Sequence, residues 1–311
     1  MNSINSSFIS LPNKIKGENI QIDDKSFNLK TLKIEYNKEP LEEYNNSIMK
    51  NLYKDEMINR ANYKRFSKKQ GIYLSEEKRF SCMNYIIQVC EEFELREETF
   101  FLCVNIFDRY INNLKIDPNQ FNNLKIEKIL ITCIFISSKY EEIYPPYLRE
   151  FLNMVNFKFS EHEILTLEEE ILSNLDFECH THSALLFLNK YFNSLKNENK
   201  IIYDLAYLIL IISMFDYEFC SYKPSFQAAI SLYAAKKFNK DSDKDNYYNL
   251  FMETNYSNKD FNKNIKLPFK ILENYFKGNY TSNYHKLPIY LKFNTEKYNY
   301  ISKIIKDKIG K

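Results

Sequence analysis

The chain has 311 residues, with 43 basic and 41 acidic side chains and a net charge of +2. That is long enough for two modest domains, and too evenly charged to grip a nucleic-acid backbone by its field alone. Only four glycines occur, Gly17, Gly71, Gly278 and Gly310, which excludes the P-loop, the dinucleotide fingerprint and the kinase glycine-rich loop, since each needs clustered glycines to bring backbone N–H groups onto a phosphate.

Residues 1–40 are polar, lack helical periodicity and read as a flexible tail without a signal-peptide pattern. From Leu41 a weak amphipathic pattern sets in, with Tyr44, Ile48, Leu52 and Met57 spaced for one helical face. Ser75 then stands as an N-cap before Glu76-Glu77, whose charges suit a positive helix start. Five helices are predicted in the next hundred residues: Arg79–Phe93, Glu97–Asn113, Ile126–Glu142, Pro146–Met154 with proline in its first turn, and a fifth opened by a Ser160/Glu163 capping box and ending near Leu175. A second set follows: Ser183–Ser194, Ile201–Phe215, Pro224–Phe238, roughly Tyr247–Thr254, and Lys266–Tyr275. The most apolar of these, Ile201–Phe215, contains Asp204 and is too short to span a bilayer. No run alternates with period two, so the fold class is all-α: two tandem five-helix sets, 41–179 (with its preceding helix) and 180–306, suggesting a duplicated fold.

Six cysteines, Cys82, Cys90, Cys103, Cys133, Cys179 and Cys220, sit singly in apolar stretches with no CxxC pair. They read as small core hydrophobes of a soluble, intracellular protein. Cys179-His180-Thr181-His182 invites a metal reading, but no second ligand cluster lies nearby in sequence. Glu141-Glu142 and Glu168-Glu169-Glu170 lack a nucleophile–base partner for acid–base work and read as solvated or interface acids. Neither a metal nor a cofactor is expected.

Four charges interrupt apolar helical stretches: Arg79, Asp108, Lys139 and Glu168. A buried charge without a partner is costly, so these residues either pair with one another or meet a partner protein. The segment Ser137-Ser138-Lys139-Tyr140-Glu141-Glu142-Ile143-Tyr144-Pro145-Pro146 closes a helix that is apolar almost all round.

That segment resembles the end of the third helix in the first box of mitotic, A/B-type cyclins. Lys78-Arg79-Phe80-Ser81-Cys82-Met83-Asn84-Tyr85-Ile86-Ile87-Gln88-Val89 resembles the family's opening helix, and Phe107-Asp108-Arg109-Tyr110 its second-helix element. Leu175-Asp176-Phe177 is similar to the link between boxes, and Phe215-Asp216-Tyr217 with Tyr222-Lys223-Pro224-Ser225 to the second box. Tyr290-Leu291-Lys292-Phe293 with Lys297-Tyr298 is similar to the closing segment. The resemblance covers roughly 44–302; Ser-Lys-Tyr-Glu-Glu and Gln88 lean it toward the B-like class.

The resemblance implies two cyclin boxes and a cyclin-dependent kinase catalytic subunit as partner, activated allosterically in G2/M control, with the chain itself no enzyme. It implies that Lys139 and Glu168 contact the kinase's regulatory helix, with Tyr140 and Ile143 adding apolar contact, and that the helix bearing Tyr44 and Ile48 packs on the kinase too. Arg79 and Asp108 would form a bracing ion pair. In the groove where many such cyclins dock basic-leucine substrate peptides, Lys78, Ser81, Cys82 and Tyr85 replace Met, Ile, Leu and Trp, and Gln88 falls where some members have Glu. Weak or absent docking of such peptides is expected there.

An Arg-x-x-Leu destruction box is absent from residues 1–40, and Arg149–Leu152 falls inside a predicted helix. Localisation in nucleus and cytoplasm is expected, with Lys64-Arg65 and Lys68-Lys69 only a weak basic cluster. A twin-cyclin-fold transcription factor would require a zinc ribbon and a basic second repeat; no cysteine precedes Cys82 and the charge is balanced. A non-activating cyclin-fold interaction protein is the other alternative.

Overall fold

The computed structural model describes residues 38–63, 74–114, 122–195, 199–239, 250 and 252–309, and for 38–46 the backbone alone. By its contacts the chain divides into residues 1–45 and the unit Asn46–Lys311. Of the former only the start of one helix falls within the described residues. Among the described residues every regular element is helical.

Helix α1 (Lys38–Asp55) precedes a first set made of α2 (Glu76–Glu92), α3 (Glu97–Asn113), α4 (Asn123–Glu141), α5 (Leu148–Met154) and α6 (Glu161–Asn174). Helices α3 and α4 pack against each other at its centre, flanked by α2 and α6. Both are buried almost all round, which is why their sequences show no consistent polar face. The second set comprises α7 (Ala184–Ser194), α8 (Lys200–Ser213), the short α9 (Tyr217–Cys220), α10 (Pro224–Phe238), α11 (Asn258–Asn264) and α12 (Lys266–Phe276). Buried Ala228, Ala229, Ser231, Ala234 and Ala235 let α10 lie close against α7 and α8.

Local rules account for most helix starts. Ser75 accepts from Lys78 N at 3.3 Å. Ser160 and Glu163 exchange both bonds of a capping box at 3.2 and 2.9 Å, and Ser183 accepts from Leu186 N at 3.3 Å. The sequence reading needs correcting in three places. Helix α1 starts at Lys38, inside the supposed tail, and stops at Asp55, which leaves Met57 exposed beyond it. Helix α5 starts at Leu148, after both prolines, because Glu150 Oε2 reaches back to Tyr147 N at 2.6 Å and fixes the cap there. Of the expected Tyr247–Thr254 helix, only 250 and 252–254 are described, and they are helical. Finally, α9, α11, α13 (Pro288–Lys292) and α14 (Ile301–Ile309) were not anticipated.

The two sets are fastened at both chain ends. After α1, the buried Glu56 carboxylate accepts from Ser225 N at 3.0 Å, at the start of α10, with Lys223 Nζ 3.7 Å away. Arg60 donates to the carbonyls of Cys220 and Tyr222 at 2.8 and 2.9 Å. At the other end α13 packs on α2, Lys292 pairs with Glu91 at 2.8 Å, and the Tyr298 hydroxyl donates to Glu97 at 2.8 Å. None of the described helices is long and apolar enough to cross a membrane.

Candidate functional site

The four charges flagged in the sequence resolve into two ion pairs. Arg79, on α2, and Asp108, on α3, are both 0% exposed. Arg79 Nη1 donates to Asp108 Oδ1 at 2.7 Å and Nη2 to Oδ2 at 3.0 Å, the bidentate arrangement a planar guanidinium favours. It also donates to the Met214 carbonyl at the end of α8, from Nε at 3.1 Å and Nη2 at 2.8 Å, and from Nη2 to Cys220 Sγ at 3.4 Å. The Tyr63 hydroxyl donates to Asp108 Oδ2 at 2.9 Å, and the Tyr217 ring lies 4.2 Å from the guanidinium carbon. Burial alone would weaken the hold of Arg79 on its proton, but Asp108, Cys220 and Tyr217 together outweigh this and the guanidinium pKa rises. Sequence reasoning found the pair but missed Met214, Tyr63 and Tyr217, all from distant or irregular segments.

The second pair lies at the surface. Lys139, in the last turn of α4, and Glu168, on α6, are joined by an ion pair and hydrogen bond, with their side chains 41% and 10% exposed. The Lys139 ammonium also sits 4.1 Å from the centre of the Phe135 ring, and a cation placed there is attracted by the ring's quadrupole. A lysine has three donors and a carboxylate about four acceptor positions, so this pair keeps unused hydrogen-bonding capacity on its open side. Beyond it Tyr140 is half exposed, and Ile143, Tyr144 and Tyr147 are 82%, 91% and 80% exposed. These side chains lie in one stretch of chain, and clustered exposure of this kind marks a contact surface more often than scattered apolar residues do. Ile48 is partly buried and packs against the core; the side chain of Tyr44 lies outside the described residues.

Four of the residues expected at a docking groove line one pocket. Lys78, Ser81, Cys82 and Tyr85 line one wall, and Ile126, Glu127 and Leu130 of α4 the other; Gln88 is exposed and is not part of its lining. The Cys82 thiol is buried, which pushes its pKa up to about 12. Burial and the nearby Glu127 also raise the Tyr85 hydroxyl, which has no hydrogen-bond partner among the described residues.

Two of the acids read as solvated or interface acids are bonded within the chain. Glu142 Oε1 accepts from Arg96 N at 2.7 Å and Thr99 Oγ1 at 2.5 Å, and Glu170 accepts from the Tyr110 hydroxyl at 2.6 Å. The rings of His180 and His182 stack edge to face at 4.9 Å, and burial, then His180, lowers the His182 pKa. Among the described residues no group of three or more His, Cys, Asp or Glu could hold a metal ion. Arg149 and Leu152 both lie on α5, with Leu152 in the core.

A profile of the cyclin N-terminal domain matches residues 47–180, and one of the cyclin C-terminal domain matches 183–307. The chain belongs to the cyclin family. It is 30% identical over 211 residues to a G2/mitotic-specific cyclin-B of Dictyostelium discoideum, covering 68% of this chain and 46% of that one. To cyclin-A1-2 of Arabidopsis thaliana it is 28% identical over 158 residues, 50% of this chain and 35% of the relative. To cyclin-B2-1 of Oryza sativa subsp. japonica it is 27% identical over 163 residues, 52% and 37%. These relatives are of the A and B types, as the sequence motifs indicated, and the chain spans less than half their length. Among solved structures, a viral cyclin from herpesvirus saimiri superposes with a TM-score of 0.55 at 19% identity, over 64% of this chain and 85% of that one, in keeping with the cyclin fold.

Proposed function

We propose that this cyclin is the regulatory subunit of a cyclin-dependent protein kinase, acting in G2/M control and performing no chemistry itself. The observation that carries the reading is the pairing of a half-exposed Lys139 with a nearly buried Glu168 beside the exposed Tyr140–Tyr147 segment. The pair offers spare donors and acceptors to a helix backbone, and Tyr140 and Ile143 offer apolar area around it. Binding energy spent there would hold the kinase's regulatory helix in its active position, where an internal Glu–Lys pair orients the nucleotide. Tyr44 and Ile48 on α1 would extend the contact. Kinase substrates are then the second class of partner, with nucleus and cytoplasm as the compartments.

One observation favours a second reading, a cyclin-fold interaction protein that does not activate a kinase: Lys139 and Glu168 already pair with each other within the chain. The deciding experiment assays a panel of cyclin-dependent kinase catalytic subunits on a histone-type substrate, each alone, with this chain, and with Lys139→Ala/Glu168→Ala. Activation that disappears in a folded double variant supports the first reading. Complex formation without activation supports the second, and no complex with any kinase would sink both kinase roles.

A further inference from the structure

Helix α3 opens without a cap of its own. Arg96 occupies its N-cap position and makes no side-chain capping bond, yet the first N–H groups of any helix lack intrahelical partners. The acceptor comes from elsewhere in the chain. Glu142, the residue that ends α4, places Oε1 2.7 Å from Arg96 N and 2.5 Å from the hydroxyl of the fully buried Thr99. A carboxylate at a helix start is also favoured by the helix dipole. Arg96 returns the contact, donating from Nη1 to the Glu141 carbonyl at 3.2 Å and pairing with Glu98 at 3.4 Å.

Glu142 also stands at the root of the exposed segment. Its own N–H donates to Ser138 O at 2.9 Å, closing α4. Pro145 and Pro146 have no N–H to give, and Ile143 N and Tyr144 N make no bond to another backbone group among the described residues. The next polar anchor is Glu150 on Tyr147 N at 2.6 Å. The same helix start is held from the second repeat, where the Tyr298 hydroxyl donates to Glu97 at 2.8 Å.

We propose that Glu142 is a positioning residue: by capping α3 from the end of α4 it fixes the exposed Ile143–Tyr147 segment in the arrangement its partner meets. This deepens the kinase-partner reading and rests on it for the identity of the partner. Fixing the segment before binding removes an ordering cost that the complex would otherwise carry.

Three variants of the full chain test the assignment: Glu142→Ala, Glu142→Gln, which keeps an acceptor oxygen, and Thr99→Val, which removes a buried hydroxyl that no partner can reach. Two quantities are read: the rate of chymotryptic cleavage after Tyr140 and Tyr147, and affinity for the kinase catalytic subunit. In Glu142→Ala, cleavage should speed up and affinity fall, each by about tenfold, equivalent to about 1.4 kcal/mol. Glu142→Gln should recover most of both, and Thr99→Val should move both in the same direction as Glu142→Ala. Unchanged cleavage in Glu142→Ala would overturn the proposal. Affinity lost in Glu142→Ala but kept in Thr99→Val, with cleavage unchanged in both, would make Glu142 a direct contact instead. If the wild-type chain binds no kinase subunit, the functional reading fails, while the cleavage rates still decide whether Glu142 positions the segment.

Discussion

Arg79–Asp108 and Lys139–Glu168 are the same chemistry in two settings. The first is sealed: both side chains are 0% exposed, Arg79 donates to Asp108, Met214 O and Cys220 Sγ, and Asp108 also accepts from Tyr63. The second is open on one side, and its lysine is 41% exposed. A sealed pair has no capacity left for another molecule, and its worth is conformational. An open pair contributes little to stability, since water screens it, but it retains directional bonds for a partner. Exposure and unspent hydrogen bonds, rather than charge, separate the sealed pair from the open one.

The contrast breaks first at the sealed pair. Arg79→Met or Asp108→Leu strands a buried charge and should cost ~3–5 kcal/mol, read from urea unfolding. Replacing both together should recover much of that loss, because the orphaned charge disappears with its partner. If each single variant were as stable as wild type, the brace would be no brace.

At the open pair the effects should reverse. Lys139→Ala/Glu168→Ala should shift unfolding by no more than about 1 kcal/mol, while kinase activation falls by more than about tenfold, a loss of at least about 1.4 kcal/mol in binding or transition-state terms. A double variant that unfolded as easily as the Arg79 variants would erase the distinction.

The altered groove extends the comparison to a surface without an ion pair. A fluorescent basic-leucine peptide should not bind wild type at micromolar concentration, because the positive Lys78 and the polar Ser81 face it. Lys78→Met/Ser81→Ile/Cys82→Leu/Tyr85→Trp should gain affinity by about tenfold or more, measured by anisotropy and consistent with the gain in apolar area. Micromolar binding by the unmodified chain would sink this expectation.

The smallest effect belongs to another lysine–carboxylate pair, Lys128–Glu163, at 2.6 Å. Lys128, then the Ser160 backbone and hydroxyl, hold the exposed Glu163 carboxyl down at about 2, against an ordinary 4.5. A depressed folded-state pKa stabilises above the unfolded value and loses that contribution as pH falls through the folded value. Stability should therefore decline between about pH 4.5 and 2, and Glu163→Gln should flatten that part of the curve in urea titrations at successive pH values. An identical slope in the variant would show that this pair does not contribute.

The sequence made legible whatever depends on near neighbours. Helix α3 appeared with its final bounds because its apolar run ends cleanly on both sides, and Ser160 with Glu163 marked the start of α6. The Arg79–Asp108 pair could be inferred because each charge interrupts an apolar face. What stayed hidden depends on backbone atoms far along the chain. Met214 O, which takes two bonds from Arg79, is a carbonyl that any residue would supply. Glu142 looked solvated because nothing local marks its reach to Arg96 and Thr99. Helix α14 did carry a signal, with Ile301, Ile305 and Ile309 at helical spacing, whereas α9 and α13 are too short for periodicity to register.

The Met214 carbonyl carries one further consequence. It belongs to the second repeat, yet it accepts two bonds from a cation supplied by the first. Cutting the chain between the repeats would leave the Arg79 guanidinium short of an acceptor on one fragment and, on the other, the Met214 carbonyl with only the Cys220 thiol, at 3.4 Å. A fold that looks modular by its repetition is therefore indivisible by its bonding, and fragments expressed separately should refold only when mixed.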